Sequence, residues 1–154
     1  FFNNASQRIY YDESLLDVER IENLNDYINE NELNIKSYST NSTKVNAVKL
    51  KDTNQLAYIT QECLFVGVNG YDSLALNIVT LKNADFEFYE MYQSLDEDIL
   101  ISNISVSVSY TQNDKGNNLI YCKFSYETID YYLSIKTFDE VDGKLEYYLN
   151  LLIN

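Results

Sequence analysis

The sequence predicts an α+β domain in which an N-terminal helix packs on an antiparallel β-meander. Two observations carry this. In the first third of the chain apolar residues recur at spacings near three and four, and from Leu33 onward they recur at a spacing of two. A chain of 154 residues suits one domain with one core. The expected division is a single domain over 1–154, with a helix at about 6–30, a β-rich region at about 33–137 and a tail at 138–154.

The helix is read from Ile9, Leu15, Val18, Ile21, Leu24 and Ile28, with Asp12, Glu13, Asp17, Glu19, Glu22 and Asp26 on the solvated face. After it, Val45 and Ala47, the run 56–59 and the run 63–68 read as strands. Asn69-Gly70-Tyr71-Asp72 is a turn signal, because Asn-Gly readily adopts the positive φ of a tight hairpin. Leu74, Leu76 and Ile78 alternate, and the aromatics Phe86, Phe88, Tyr89 and Tyr92 follow. The clearest strand is Ile104, Val106, Val108 and Tyr110, with Ser105, Ser107 and Ser109 between them. Residues 113–117 form a hairpin loop, Ile120, Cys122, Phe124 and Tyr126 line the returning strand, and 131–136 continue the meander. Asp142-Gly143 breaks the pattern before an apolar tail, 145–153, which is either a short helix or an edge strand.

Composition removes several kinds of function. A net charge of −13, from 24 acidic and 11 basic residues, opposes nucleic acid and anionic membrane surfaces, since both are bound through Lys and Arg. There is no histidine, so the commonest general base and the usual Ser and Cys triads are missing. Four glycines form no phosphate-cradling motif. The reading is therefore a protein that is not an enzyme and has no cofactor. The acid clusters Asp96-Glu97-Asp98 and Asp139-Glu140-x-Asp142 are most simply solvated loops, and no tryptophan offers a sugar platform for a glycosidase. The oxygen-rich segments at 113–117 and 139–143 miss the spacing of an EF-hand.

Cys63 and Cys122 are too few for a zinc site; they are either two buried free thiols or a disulfide in an oxidising compartment. Charge is uneven along the chain. Residues 33–51 carry Lys36, Lys44, Lys49 and Lys51 with no acid, whereas 84–98 carry six acids and no base. The lysines either neutralise the acidic helix or strand edges within the molecule or form a contact with a neighbouring subunit. Fifteen tyrosines suit half-buried strands and protein interfaces alike.

The apolar start Phe1-Phe2, one N-terminal helix and a Ser- and Asn-rich meander, with Leu81–Tyr89 followed by Ile101–Val108, resemble a type IV minor pilin or type II secretion pseudopilin without its hydrophobic stem. The likeness covers 1–30 by layout and 80–126 by pattern. It implies a pilin-like fold and a non-enzymatic subunit of a pilus, competence or secretion filament. Such a subunit is extracellular at the cell surface, partnered by other pilin subunits, and touches the membrane only through the stem. The alternatives are an acidic cytosolic secretion chaperone or toxin-immunity protein, and a secreted surface protein binding calcium or carbohydrate.

Overall fold

A computed structural model describes residues 7–154. Phe1-Phe2, read as the stub of a removed segment, and the expected helix start at Ser6 lie outside the described residues. The dominant element is an eight-stranded antiparallel sheet. Its members are β2 (Leu16–Arg20), β3 (Ser42–Leu50), β4 (Leu56–Val66), β5 (Tyr71–Val79), β7 (Glu97–Ile101), β8 (Ile104–Gln112), β9 (Asn118–Tyr126) and β10 (Ile129–Thr137). They are arranged in the order β2-β3-β4-β5-β10-β9-β8-β7. Two short strands, β1 (Ile9–Tyr11) and β6 (Ala84–Phe86), pair in parallel beside it. The helices are α1 (Leu24–Glu30) and α2 (Lys144–Ile153).

The expected N-terminal helix is corrected by this arrangement, and with it the fold class of a helix on a meander. Ile9–Tyr11 and Leu16–Arg20 form strands joined by a 3-10 turn at Glu13–Leu15. Within the expected helix only Leu24–Glu30 is α-helical, started by the Asn23 side chain accepting the Asp26 N–H at 3.0 Å. The helical spacing misled because Leu16-Asp17-Val18-Glu19 also alternates with period two. β3 needs a partner along its outer edge, and β2 supplies one in register from Leu16↔Leu50 to Arg20↔Asn46. In a helix Ile9, Leu15 and Val18 were to be buried; as strand and turn residues they are exposed, Val18 by 66%. The tail, open between helix and strand, is helical. Leu145, Tyr148, Leu149 and Leu152 recur at helical spacing and are all buried.

One sheet face carries the main core. Ile59, Leu74, Leu76, Ile78, Val106, Val108, Ile120, Leu133 and Ile135 project there and meet Leu24 of α1 and the buried face of α2. The long segment between α1 and β3 is tied over this core by Gln61. Its amide accepts the Tyr38 N–H at 2.9 Å and donates to the Tyr38 carbonyl at 2.7 Å, while the Tyr38 hydroxyl donates to the Tyr148 carbonyl at 2.9 Å. On the opposite face a second cluster forms around Phe86, Tyr92 and Tyr132, covered by β6 and the 3-10 turn Glu87–Tyr92.

Both cysteines are free and buried in the main core. β5 and β10 stand between their strands, so they are about 14 Å apart at roughly 4.8 Å per strand, beyond the reach of a disulfide. Burial pushes the Cys63 thiol up to about 11 and raises that of Cys122 as well. Neither thiol should react with a water-soluble thiol reagent in the native protein near neutral pH, and both should react in denaturant. Rapid native labelling of either would contradict this packing.

Candidate functional site

The loops that join β4 to β5 and β10 to α2, and the hairpin loop between β8 and β9, gather at one end of the sheet. A buried ionic clasp binds the first two together. Lys144 Nζ donates to Asp72 Oδ2 and to Asp139 Oδ2, each at 2.6 Å, and the Tyr148 hydroxyl donates to Asp72 Oδ2 at 2.7 Å. Asp139 also accepts the N–H groups of Val68 at 2.8 Å and Asn69 at 2.7 Å. Asp72 is fully buried, and its Oδ1 has no hydrogen-bond partner among the described residues. Gly67 is required here, because a Cβ would lie 2.7 Å from Asp139 Oδ2 and 2.9 Å from Asp72 Oδ1.

The electrostatics of the clasp follow from its contacts. The Lys144 hydrogen bond, joined by the two backbone N–H groups, holds the Asp139 carboxyl down at about 2. Burial opposes the Lys144 charge, but the two carboxylates outweigh it and keep its pKa above the ordinary value. Lys144 thus occupies the position between the two carboxylates that a cation would take. Asp139, read in sequence as part of a solvated acidic loop, is instead a structural acceptor.

The clasp holds up an apolar tip. Val66 pairs in register with Tyr71, and Leu64 with Ser73. Gly70 lies so near Phe138 that a Cβ would meet its ring at 2.8 Å. Val66 and Val68 are 80% and 88% exposed, and Tyr71 and Phe138 are more than half exposed. Val66 and Tyr71 at the strand ends, Val68 in the loop between them and Phe138 beside it form an apolar surface, and the loop backbone is fixed from beneath.

The outer sheet face has a different character. A row of paired residues crosses all eight strands: Arg20, Asn46, Thr60, Asn77, Tyr132, Lys123, Ser107 and Asp98. Residues paired in register point to the same side, so the row is a polar band about 34 Å long at roughly 4.8 Å per strand. Its members bond along the row, Thr60 Oγ1 to Asn77 Oδ1 and Ser107 Oγ to Asp98 Oδ1, each at 2.7 Å. Where the band meets the aromatic cluster, two cavities of about 740 and 580 Å³ adjoin and share Lys123, Asp130 and Tyr132 as walls.

The four lysines singled out in the sequence do not converge on one point. Lys36 lies over the Tyr126 ring at 5.8 Å, Lys44 stands opposite Glu62, Lys49 Nζ pairs with Glu19 at 3.3 Å, and Lys51 is in the turn after β3. The sequence reading missed Asp72, Lys144 and Tyr148. A signal existed for Asp72, which is in phase with Leu74, Leu76 and Ile78 on the buried face of β5.

Comparison with protein-family models, with curated proteins and with solved structures returns no match. The chain is described by its architecture: an antiparallel β-sheet domain with a helix-covered core and a polar outer face. Among the described residues no helix is long and apolar enough to cross a membrane, and no group of three or more metal-ligating side chains gathers.

Removing one partner of the clasp leaves a buried carboxylate uncompensated, so Lys144→Met should destabilise the domain by about 3–5 kcal/mol in denaturant unfolding. Because the Asp139 pKa is depressed on folding, its stabilising contribution is complete above the unfolded value near 3.8 and is lost as pH falls towards about 2. Acid titration of Asp139→Asn should therefore show a weaker loss of stability across that window than the parent protein.

Proposed function

We propose that this is a non-enzymatic binding domain that works by holding a partner protein against the apolar end of its sheet. The supporting observation is the clasp-held tip, Val66, Val68, Tyr71 and Phe138. Its apolar side chains face solvent at and beside a hairpin loop tied by two backbone hydrogen bonds to a buried carboxylate, with Phe138 contributed by the chain after β10. A rigid apolar surface loses little conformational entropy on binding, which favours association. A buried aromatic or aliphatic anchor is also what gives most protein contacts their energy. The surrounding charge of −13 favours a partner that is basic around its own apolar patch.

The narrower expectation, a pilin-type filament subunit, rested on a long N-terminal helix. Strands β1 and β2 in its place remove the main support for that reading. Of the pattern at 80–126, the alternating strand is present as β8, and the aromatic segment is mostly a 3-10 turn rather than a strand.

A photo-crosslinking residue placed at Tyr71 should capture one discrete protein partner in the native cell, and the same residue at Val18 on the far edge should not. The double variant Val66→Asp, Val68→Asp should abolish capture while changing stability by no more than about 0.5 kcal/mol, as exposed substitutions do. Equal capture at both positions, or capture that survives the double variant, would count against the proposal.

A further inference from the structure

The two adjoining cavities on the outer sheet face are remote in chemistry from the apolar tip. Their floor is built by β8, β9 and β10, which present Ser105, Ser107, Lys123, Ser125 and Asp130, and their wall is the tyrosine cluster. Tyr89 stacks on Tyr132 with ring centroids 4.5 Å apart, and Tyr10 stands half exposed at the margin. Together the cavities exceed the volume of an ordinary small-molecule pocket, which suits a ligand of several linked units.

We propose that this channel binds an uncharged oligosaccharide. The charges that line it are of both signs, Arg8 and Lys123 beside Asp85, Glu90, Glu127 and Asp130, and several are held by bonds within the molecule. Arg8 Nε donates to Asp85 Oδ1 at 2.8 Å, Ser125 Oγ to Asp130 Oδ1 at 2.5 Å and Ser107 Oγ to Asp98 Oδ1 at 2.7 Å. Lys123 makes no ion pair among the described residues. A polyanion is opposed by the net charge of −13 and by the carboxylates of Asp85, Glu90, Glu127 and Asp130 in the lining. An extended peptide also finds no open backbone, because β8, β9 and β10 are paired on both sides. Sugar hydroxyls, which donate and accept at once, match a lining of serine hydroxyls, carboxylates, an ammonium and a guanidinium. The apolar face of a sugar ring matches a tyrosine ring, here supplied by tyrosines in a chain without tryptophan.

The test is calorimetric titration of the intact domain with cellohexaose, maltohexaose and chitohexaose, with an oligogalacturonate of equal length as the charged control. At least one neutral oligomer should bind and the acidic one should not. Lys123→Ala should weaken that binding about tenfold, the loss of a hydrogen bond to a charged group, and Tyr10→Ala about threefold. Both side chains are solvent-exposed, so unchanged melting temperatures would show that folding is intact. The double variant Val66→Asp, Val68→Asp should bind the sugar as the parent does, which separates this site from the protein-binding tip. No binding of any neutral oligomer at millimolar concentration, preference for the acidic one, or affinity unaffected by Lys123→Ala would overturn the assignment.

Discussion

Lys144 between Asp72 and Asp139 is the constraint on which one whole end of the molecule depends. Two carboxylates taken out of water are costly, and one ammonium with two backbone N–H groups and a tyrosine hydroxyl compensates them only at a fixed geometry. That requirement couples two segments distant in sequence: the β4–β5 loop with the start of β5, and the chain from the end of β10 into the first turn of α2. It also explains why α2 begins where it does. Gly143 adopts a left-handed φ of +77° and turns the chain so that Lys144 faces the carboxylates while Leu145, Tyr148 and Leu149 face the core.

The sheet divides the molecule by chemistry. Its inner face is largely apolar, with Gln61 and Asp72 buried in it, and is closed by α2, α1 and the segment that carries Tyr38, and its outer face grades from an aromatic block to a polar band. The aromatic block compensates for the missing second layer. Tyr58, Phe86, Phe88, Tyr89 and Tyr132 pack with centroids about 5 Å apart and mixed edge and stacked geometry, which suits the ring quadrupole. Burial raises the hydroxyl pKa of Tyr58, Tyr89 and Tyr132, so these groups stay neutral donors beside the polar band. The tyrosine abundance thus serves a half-covered face, where the ring is buried and the hydroxyl reaches polar neighbours.

Much of the strand content was legible because alternation is a local property. β5, β8, β9 and β10 follow directly from Leu74-x-Leu76-x-Ile78, Ile104-x-Val106-x-Val108 and their successors. The candidate surfaces were far less legible. The polar band has no linear signature, since its eight members come from eight separate strands, and the apolar tip is visible only once Val66 and Val68 are known to point outward. Asp72 and Gln61 were the readable hints: each falls in phase with buried apolar residues, where a polar side chain needs a specific partner.

By itself the sequence determined the acidic surface, the absence of histidine chemistry and the period-two strands, because these depend on composition or on neighbours along the chain. The tertiary structure decided residues 16–20. Their apolar spacing satisfies helix and strand alike, and the choice lies with an unpaired edge of β3 whose backbone groups needed a partner. It likewise decided the helix at 144–153, whose apolar stripe fits over the core formed by the sheet, and the pairing of Asp72 with Lys144 across 72 positions. Both required the sheet to exist first.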